Sequence, residues 1–590
     1  MIRQWSVAAT AALWWLGTDL AAADVVMTSD VDQFNALAEA HDGFPHQTFR
    51  SSDIAGPVFH VDSWDHNLTE NSGYIFIGSV YGRHRAGPMI LDASDLSLVY
   101  ADQKWENTYY SEPQVLNGKP YLTFWEGSHS RGHANGFCLI VDEQYNIKHN
   151  VSAVGLNGAL ADMHEMQVTA NGTVIFTTYF SIPYDCTPWG GPEDGLLMDS
   201  GFQEVDIETN ELLFEWSASK HFSPNDTSAR YDGGFGVSEN SGFDFAHINS
   251  VRKTEDGNYL VSSRHLHTIA LIDGSDGHPI WILGGKNNQF EDLSDGKATG
   301  FSWQHDARFY NDHSHITLFD NHGEKTGSCD DDCRTRGLHI EIDTDAMTAR
   351  LVAEYYHPRH INAGAMGGLQ MLENGNVLTA WGYAPAYVEF TPDGTPVMDI
   401  QRGSIGGTNV RDMFAYRVTK GNWTGRPTWP PNMAMDTPHG TAENATLYMS
   451  WNGATDIDSW AIFTSDKPRE IQHYENYVGS VPRTGFESSA ALGPDRREKY
   501  VAVAAIDKDG EVLGSSHVFD METRQPVFMP SEIETIHRPE DNTVRTSAVA
   551  AGGAAVTACA FFGLFHLWRR RKNRADVEEA KYKPVSSTEN

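Results

Sequence analysis

Three histidines in this chain each open a segment that runs through a polar turn into a strand-like apolar run. The segments begin at His164-Glu-Met-Gln-Val, His247-Ile-Asn-Ser-Val and His305-Asp-Ala-Arg-Phe. A neutral imidazole can act as nucleophile or carry a proton, so three of them at one spot would support covalent and acid–base chemistry together. Arg264 adds a planar fork of donors suited to clustered oxygens. The plain alternative for any one histidine is a hydrogen-bonded core or loop residue, and His129, His265, His313, His315 and His322 are read that way. Repeated placement lifts His164, His247 and His305 out of that class. Three histidines also suit zinc or copper. No neighbouring carboxylate is spaced to complete a ligand set, and Arg264 would repel a cation, so neither metal nor cofactor is expected.

Histidines far apart in sequence meet only if the elements carrying them repeat around a centre. Between about residues 70 and 405 the chain reads as short β-rich runs broken by turn pairs such as Asn117-Gly118, Asn171-Gly172, Asp256-Gly257 and Asn374-Gly375. Besides the histidine-headed segments, a similar unit opens at Gly367 and a weaker one at Glu112. A second hairpin lies between successive heads, giving four strands per unit, which is one propeller blade. An all-β fold is expected: a propeller over 70–434, preceded by a segment 24–69 packed on it. A fibronectin III-like sandwich follows over 435–522, then a stalk over 523–545.

The ends of the chain speak of membranes. Residues 1–23 have the layout of a cleaved signal peptide, and 546–568 form an apolar stretch long enough to span a bilayer, followed by the cations Arg569, Arg570, Arg571, Lys572 and Arg574. The expectation is a single-pass protein of the secretory pathway or plasma membrane, its tail 569–590 cytosolic and its bulk luminal or extracellular. Sequons at Asn67, Asn150, Asn171, Asn225, Asn422 and Asn444 all precede the span. In an oxidising compartment Cys329 is expected to pair with Cys333, and Cys138 with Cys186. A formal charge of −36 argues against nucleic acid as a partner.

Taken together, His164-Glu165-Met166-Gln167, Phe245-Ala-His-Ile-Asn-Ser, Ser263-Arg264-His265, Trp281-Ile-Leu-Gly-Gly, Gln304-His305-Asp306-Ala-Arg and Ser450-Trp-Asn-Gly-Ala-Thr resemble the arylsulfotransferase family in its eukaryotic, mostly fungal branch. The resemblance implies a six-bladed propeller that moves a sulfuryl group from an aryl sulfate to a phenol without a nucleotide donor. Carried over by motif, it makes His305 the transiently sulfated nucleophile and His164, His247, Asn249 and Arg264 its supporting residues. Sulfuryl transfer resembles phosphoryl transfer in spreading charge over three oxygens, which a guanidinium can hold. The competing expectation is a non-catalytic luminal binding module on the same fold. A quinone-dependent dehydrogenase is a third reading, with no regular tryptophan repeat to support it.

Overall fold

The computed structural model describes residues 24–80, 86–130, 132–231, 242–329, 333–405 and 413–528. The chain is all-β, 49% strand and 5% helix. Among the described residues six four-stranded antiparallel meanders follow one another, each hydrogen-bonded outward from an innermost strand. The innermost strands are β1 (Thr108–Leu116), β2 (Ala161–Val168), β3 (Ile248–Lys253), β4 (His305–Tyr310), β5 (Gly368–Met371) and β6 (Ala415–Gly421). β6 comes from the end of this region but forms the inner edge of the first meander, beside Tyr74–Val80. Each inner strand touches the next, from β1 to β6, and β6 touches β1.

Neighbouring sheets bury their facing apolar residues against each other, since a sheet with two apolar faces needs a partner on both. Phe76 and Ile90 of the first sheet meet Leu122 and Leu139 of the second. Trp125 and Ile140 meet Val174 and Phe176 of the third. Phe202 and Trp216 meet Tyr259 and Val261 of the fourth. Leu260 and Leu283 meet Ile316 and Leu338 of the fifth. Phe319 and Tyr355 meet Val377 and Val388 of the sixth. Leu378 and Met398 return to Ile75 and Met89 of the first. Each large side chain so buried contributes about 1.5–3 kcal/mol.

The first residues pack against the outside of this arrangement. Asp30 caps the helix Val31–Ala40 through the amides of Asp32 and Gln33. The strand Phe59–Trp64 pairs with the outer strand Pro396–Gln401 of the sixth sheet. After β6, two further sheets enclose one core of Met433, Leu447, Trp460, Val501 and Val503.

Cys329 and Cys333 form the expected disulfide. The expected Cys138–Cys186 pair is not formed: both thiols are free and buried. Cys138 belongs to the core between the second and third sheets and Cys186 to that between the third and fourth, so the third sheet separates them. The asparagines of all six sequons are exposed. The expected signal peptide 1–23 and span 546–568 lie outside the described residues. Among the described residues no helix is long and apolar enough to cross a membrane.

Candidate active site

Five of the six inner strands begin with a register irregularity: Tyr109/Glu112, Ala161/Met166, Ile248/Ser250, His305/Arg308 and Ala415/Val418. A bulge bends a strand and redirects its side chains. Here the bulged entries carry the histidines. His164 lies inside the irregular stretch of β2, His247 directly precedes β3 with φ of +55°, and His305 is the first residue of β4.

The His164 and His247 rings meet edge to face, their centroids 4.8 Å apart, and both lie against Tyr179 at 5.5 and 5.7 Å. Tyr416 at the entry of β6 stands 5.8 Å from His164 and 6.4 Å from His305, linking the third imidazole to the pair. His265 stacks on His247 at 4.7 Å. Arg264 lies over the Trp303 ring, 4.6 Å from its centroid.

The hydrogen bonds distinguish the imidazoles. His164 Nδ1 is 2.5 Å from Asp162 Oδ2, and that carboxylate also accepts from the Ala134 and His164 amides and the Thr177 hydroxyl. His247 Nδ1 is 2.6 Å from Asp244 Oδ2. Among the described residues, neither Nε2 atom has a hydrogen-bond partner. His305 is held differently. Its Nδ1 is 2.7 Å from Asn321 Oδ1, while its Nε2 accepts the Met366 amide at 3.2 Å. An amide N–H can only donate, so Nδ1 carries the proton of His305. Asn321 donates its Nδ2 to the carbonyls of Ala363 and Met366, which turns its Oδ1 toward His305.

Burial sets the charge states. It drives His247 and His305 well below the ordinary imidazole range, aided in both by Arg264. At neutral pH these two rings are uncharged bases. Burial also raises Asp244 above the usual carboxylate range, with the nearby histidines and Arg264 opposing it. At Asp162 burial acts in the same direction, but His164 and Thr177 outweigh it and leave the carboxyl below its usual range.

Asn249 is central but braces strands: its Nδ2 donates to the Gln304 carbonyl at 2.6 Å, and its own carbonyl accepts from Tyr416 Oη and Arg417 Nη2, both at 3.2 Å. Behind the histidines lies a buried ion network. Glu165, fully buried, meets Arg308 at 2.9 Å, Arg417 at 3.1 Å and Arg252 at 3.7 Å, and Asp306 meets Arg417 at 2.9 Å. Burial would raise the Glu165 carboxyl, but the three guanidiniums hold it far below its usual range. The network joins β2, β3, β4 and β6, and Asp306 also accepts the Leu369 amide of β5.

His164, His247, His305, Arg264 and Asn249 therefore converge at one end of the inner strands. The sequence reading missed Asp162, Asp244 and His265. Asp162 stands two residues before His164 and Asp244 three before His247, a repeated Asp-then-His pattern that could have been noticed. It also held that no carboxylate completes a metal-ligand set, whereas Asp244, His247 and His265 offer ligand atoms within 4.8 Å of one another. In this structure the Nδ1 atoms of His247 and His265 are both hydrogen-bonded to Asp244 and Arg264 lies on the Nε2 of His265. A cation held by these two Nδ1 atoms would displace both their protons and sit beside a guanidinium. His313 packs on Phe309, His315 bonds His339 and His322 faces Asp320, all as ordinary structural histidines.

Among solved structures the chain is similar to a protein of unknown function from Bacteroides caccae, at 12% identity over 58% of this chain and 97% of that one, with a TM-score of 0.34. It is similar at 10% identity to a Lactobacillus plantarum protein, over 72% of this chain and 98% of that one, TM-score 0.31. A third is Kuenenia stuttgartiensis hydrazine synthase, at 11% identity over 58% and 79% of the two chains, TM-score 0.29. No curated protein matches. Residues 112–403, the span holding all five expected site residues, match the family model for arylsulfotransferase (ASST).

Proposed function

We propose that this protein transfers a sulfuryl group from an aryl sulfate to a phenol through a sulfo-histidine, on a six-bladed propeller formed by the six meanders. The observation that carries the reading is the convergence, at the bulged strand entries, of two carboxylate-bonded imidazoles, a third bonded to an amide oxygen, and one guanidinium. In the first step His305 Nε2 attacks sulfur, the aryl O–S bond breaks, and the phenolate leaves with the bonding pair. The Met366 amide releases Nε2 and then lies beside the sulfuryl oxygens, with Arg264 as the cation for their spread charge. In the second step the incoming phenol gives its proton to a neutral Nε2 of His247 or His164, its oxygen attacks sulfur, and the N–S bond breaks. The imidazolium then returns its proton to solvent, from which the phenolate released in the first step takes one up, so the proton count closes with no nucleotide or metal.

A second assignment is favoured by one observation. The free Nε2 atoms belong to His164 and His247, while that of His305 is engaged by an amide. The net value of such a neutral bond is about 1 kcal/mol, too small to bar attack. The test is incubation of the full-length protein with 4-nitrophenyl sulfate, with and without phenol, followed by mapping of the acid-labile sulfate. Release of nitrophenol coupled to phenyl sulfate formation, label on His305, and loss of both in His305→Ala are expected. Label on His247 would move the nucleophile, and absence of transfer leaves the non-catalytic binding module as the reading. The exposed sequons and the Cys329–Cys333 disulfide support placing this chemistry in the secretory pathway.

A further inference from the structure

His265 belongs to none of the roles above, yet it lies between two groups that have them. Its Nδ1 is 2.6 Å from the backbone carbonyl of Asp244, and its Nε2 is 2.9 Å from Arg264 Nη1. A carbonyl can only accept and a guanidinium can only donate, so the ring has one possible tautomer: Nδ1 protonated, Nε2 accepting. Arg264 is otherwise fixed by Nη2 on the Gly364 carbonyl at 3.2 Å and by the Trp303 face, while its Nε is buried without a partner. The same Asp244 holds His247 through its carboxylate.

We propose that His265 is a positioning residue that aims the Arg264 fork, and that Asp244 couples this aim to the orientation of His247 through one residue's carbonyl and carboxylate. The chain runs Asp244 C=O, His265, Arg264, with no charged group at its middle. Burial, despite the opposing Asp244 charge, pushes His265 down to about 3, so the ring stays neutral through the physiological range. A protonated His265 would place an N–H against a guanidinium N–H, and the chain would break. The proposal rests on the sulfuryl-transfer reading only for the identity of the anion that Arg264 meets.

The experiment compares His265→Leu and His265→Gln in the full-length protein. Glutamine carries one donor and one acceptor on a single planar group and can reproduce both bonds, whereas leucine fills similar space with neither. Affinity is read by calorimetry with benzenesulfonate, whose carbon–sulfur bond cannot be transferred, and turnover with 4-nitrophenyl sulfate. His265→Leu is expected to lose about tenfold or more in both affinity and kcat/KM, in line with losing the aim of one charged donor, and His265→Gln to keep most of each. Equal losses in the two variants, or none in His265→Leu, overturn the proposal. If the wild type binds the sulfonate with this ranking but transfers no sulfate, the positioning role stands and the catalytic reading fails. Should His265→Leu not fold, nitrogen NMR of the wild-type imidazole decides: a proton on Nε2 at neutral pH overturns the tautomer on which the chain depends.

Discussion

Each imidazole of the centre is defined by what holds its Nδ1. A carboxylate behind an imidazole favours the cation that forms when Nε2 takes a proton, while an amide oxygen fixes the tautomer with no such bias. This separates the proposed proton carriers, His164 on Asp162 and His247 on Asp244, from His305 on Asn321. Replacing Asp162 by Asn keeps the shape but leaves an amide where the charge stood. Acid–base catalysis by one side chain is worth roughly 10²–10⁴-fold. Asp162→Asn should therefore cut turnover with poorly acidic acceptor phenols by at least about tenfold, while the burst of nitrophenol from the first half-reaction persists. Stopped-flow separation of the two phases checks this. An equal loss in both phases would mean that Asp162 serves only the fold.

The strands that carry these residues were legible at the level of pattern and illegible in detail. Turn pairs and the recurring histidine heads located β2, β3 and β4 and the end of each at which the site lies. What the pattern could not show is the bulge at five of the six strand entries, because a bulge is a choice of register made between strands, not within one. Asp306 illustrates the loss. Within Gln304-His305-Asp306 it reads as a neighbour of the proposed nucleophile, but with φ of +58° its carboxylate turns back to Arg417 and the Leu369 amide. Arg417, on the strand that closes the first sheet, falls outside every histidine-headed segment. Cys138 and Cys186 failed as a pair for a similar reason, since the sheet between them is invisible until the meanders are assembled. The inner strands are fastened by ions, which makes Glu165 the sensitive point. Glu165→Ala takes from Arg252, Arg308 and Arg417 the buried carboxylate they share and leaves Asp306 to face Arg308 and Arg417; breaking a buried ion pair in this way typically costs about 3–5 kcal/mol. Chemical denaturation should show a loss of that order, and a change below about 1 kcal/mol would mean that solvent reaches the network.

At the scale of the whole molecule, the first described residues reach the last sheets. Asp24 Oδ2 accepts the amides of Phe486 and Glu487, at 2.5 and 3.1 Å, and Glu487 in turn accepts the amide and hydroxyl of Ser51, both at 2.6 Å. The segment before the first meander thus ties the C-terminal sheets to the rest of the chain. Burial raises the Asp24 carboxyl to about 6, the two amide bonds opposing it and Glu487 adding to it. A carboxyl that binds its proton more tightly when folded stabilises the fold fully below its unfolded pKa of about 4. That contribution is lost as pH rises through about 6, because the charged form must then be kept partly out of water. The stability of the wild type relative to Asp24→Asn, measured by thermal unfolding from pH 4 to 7, should therefore fall with rising pH and level off above about 7. A difference that is constant with pH, or that grows toward pH 7, would show that the amides of Phe486 and Glu487 favour the charged carboxylate and that the tie tightens instead of loosening at neutral pH.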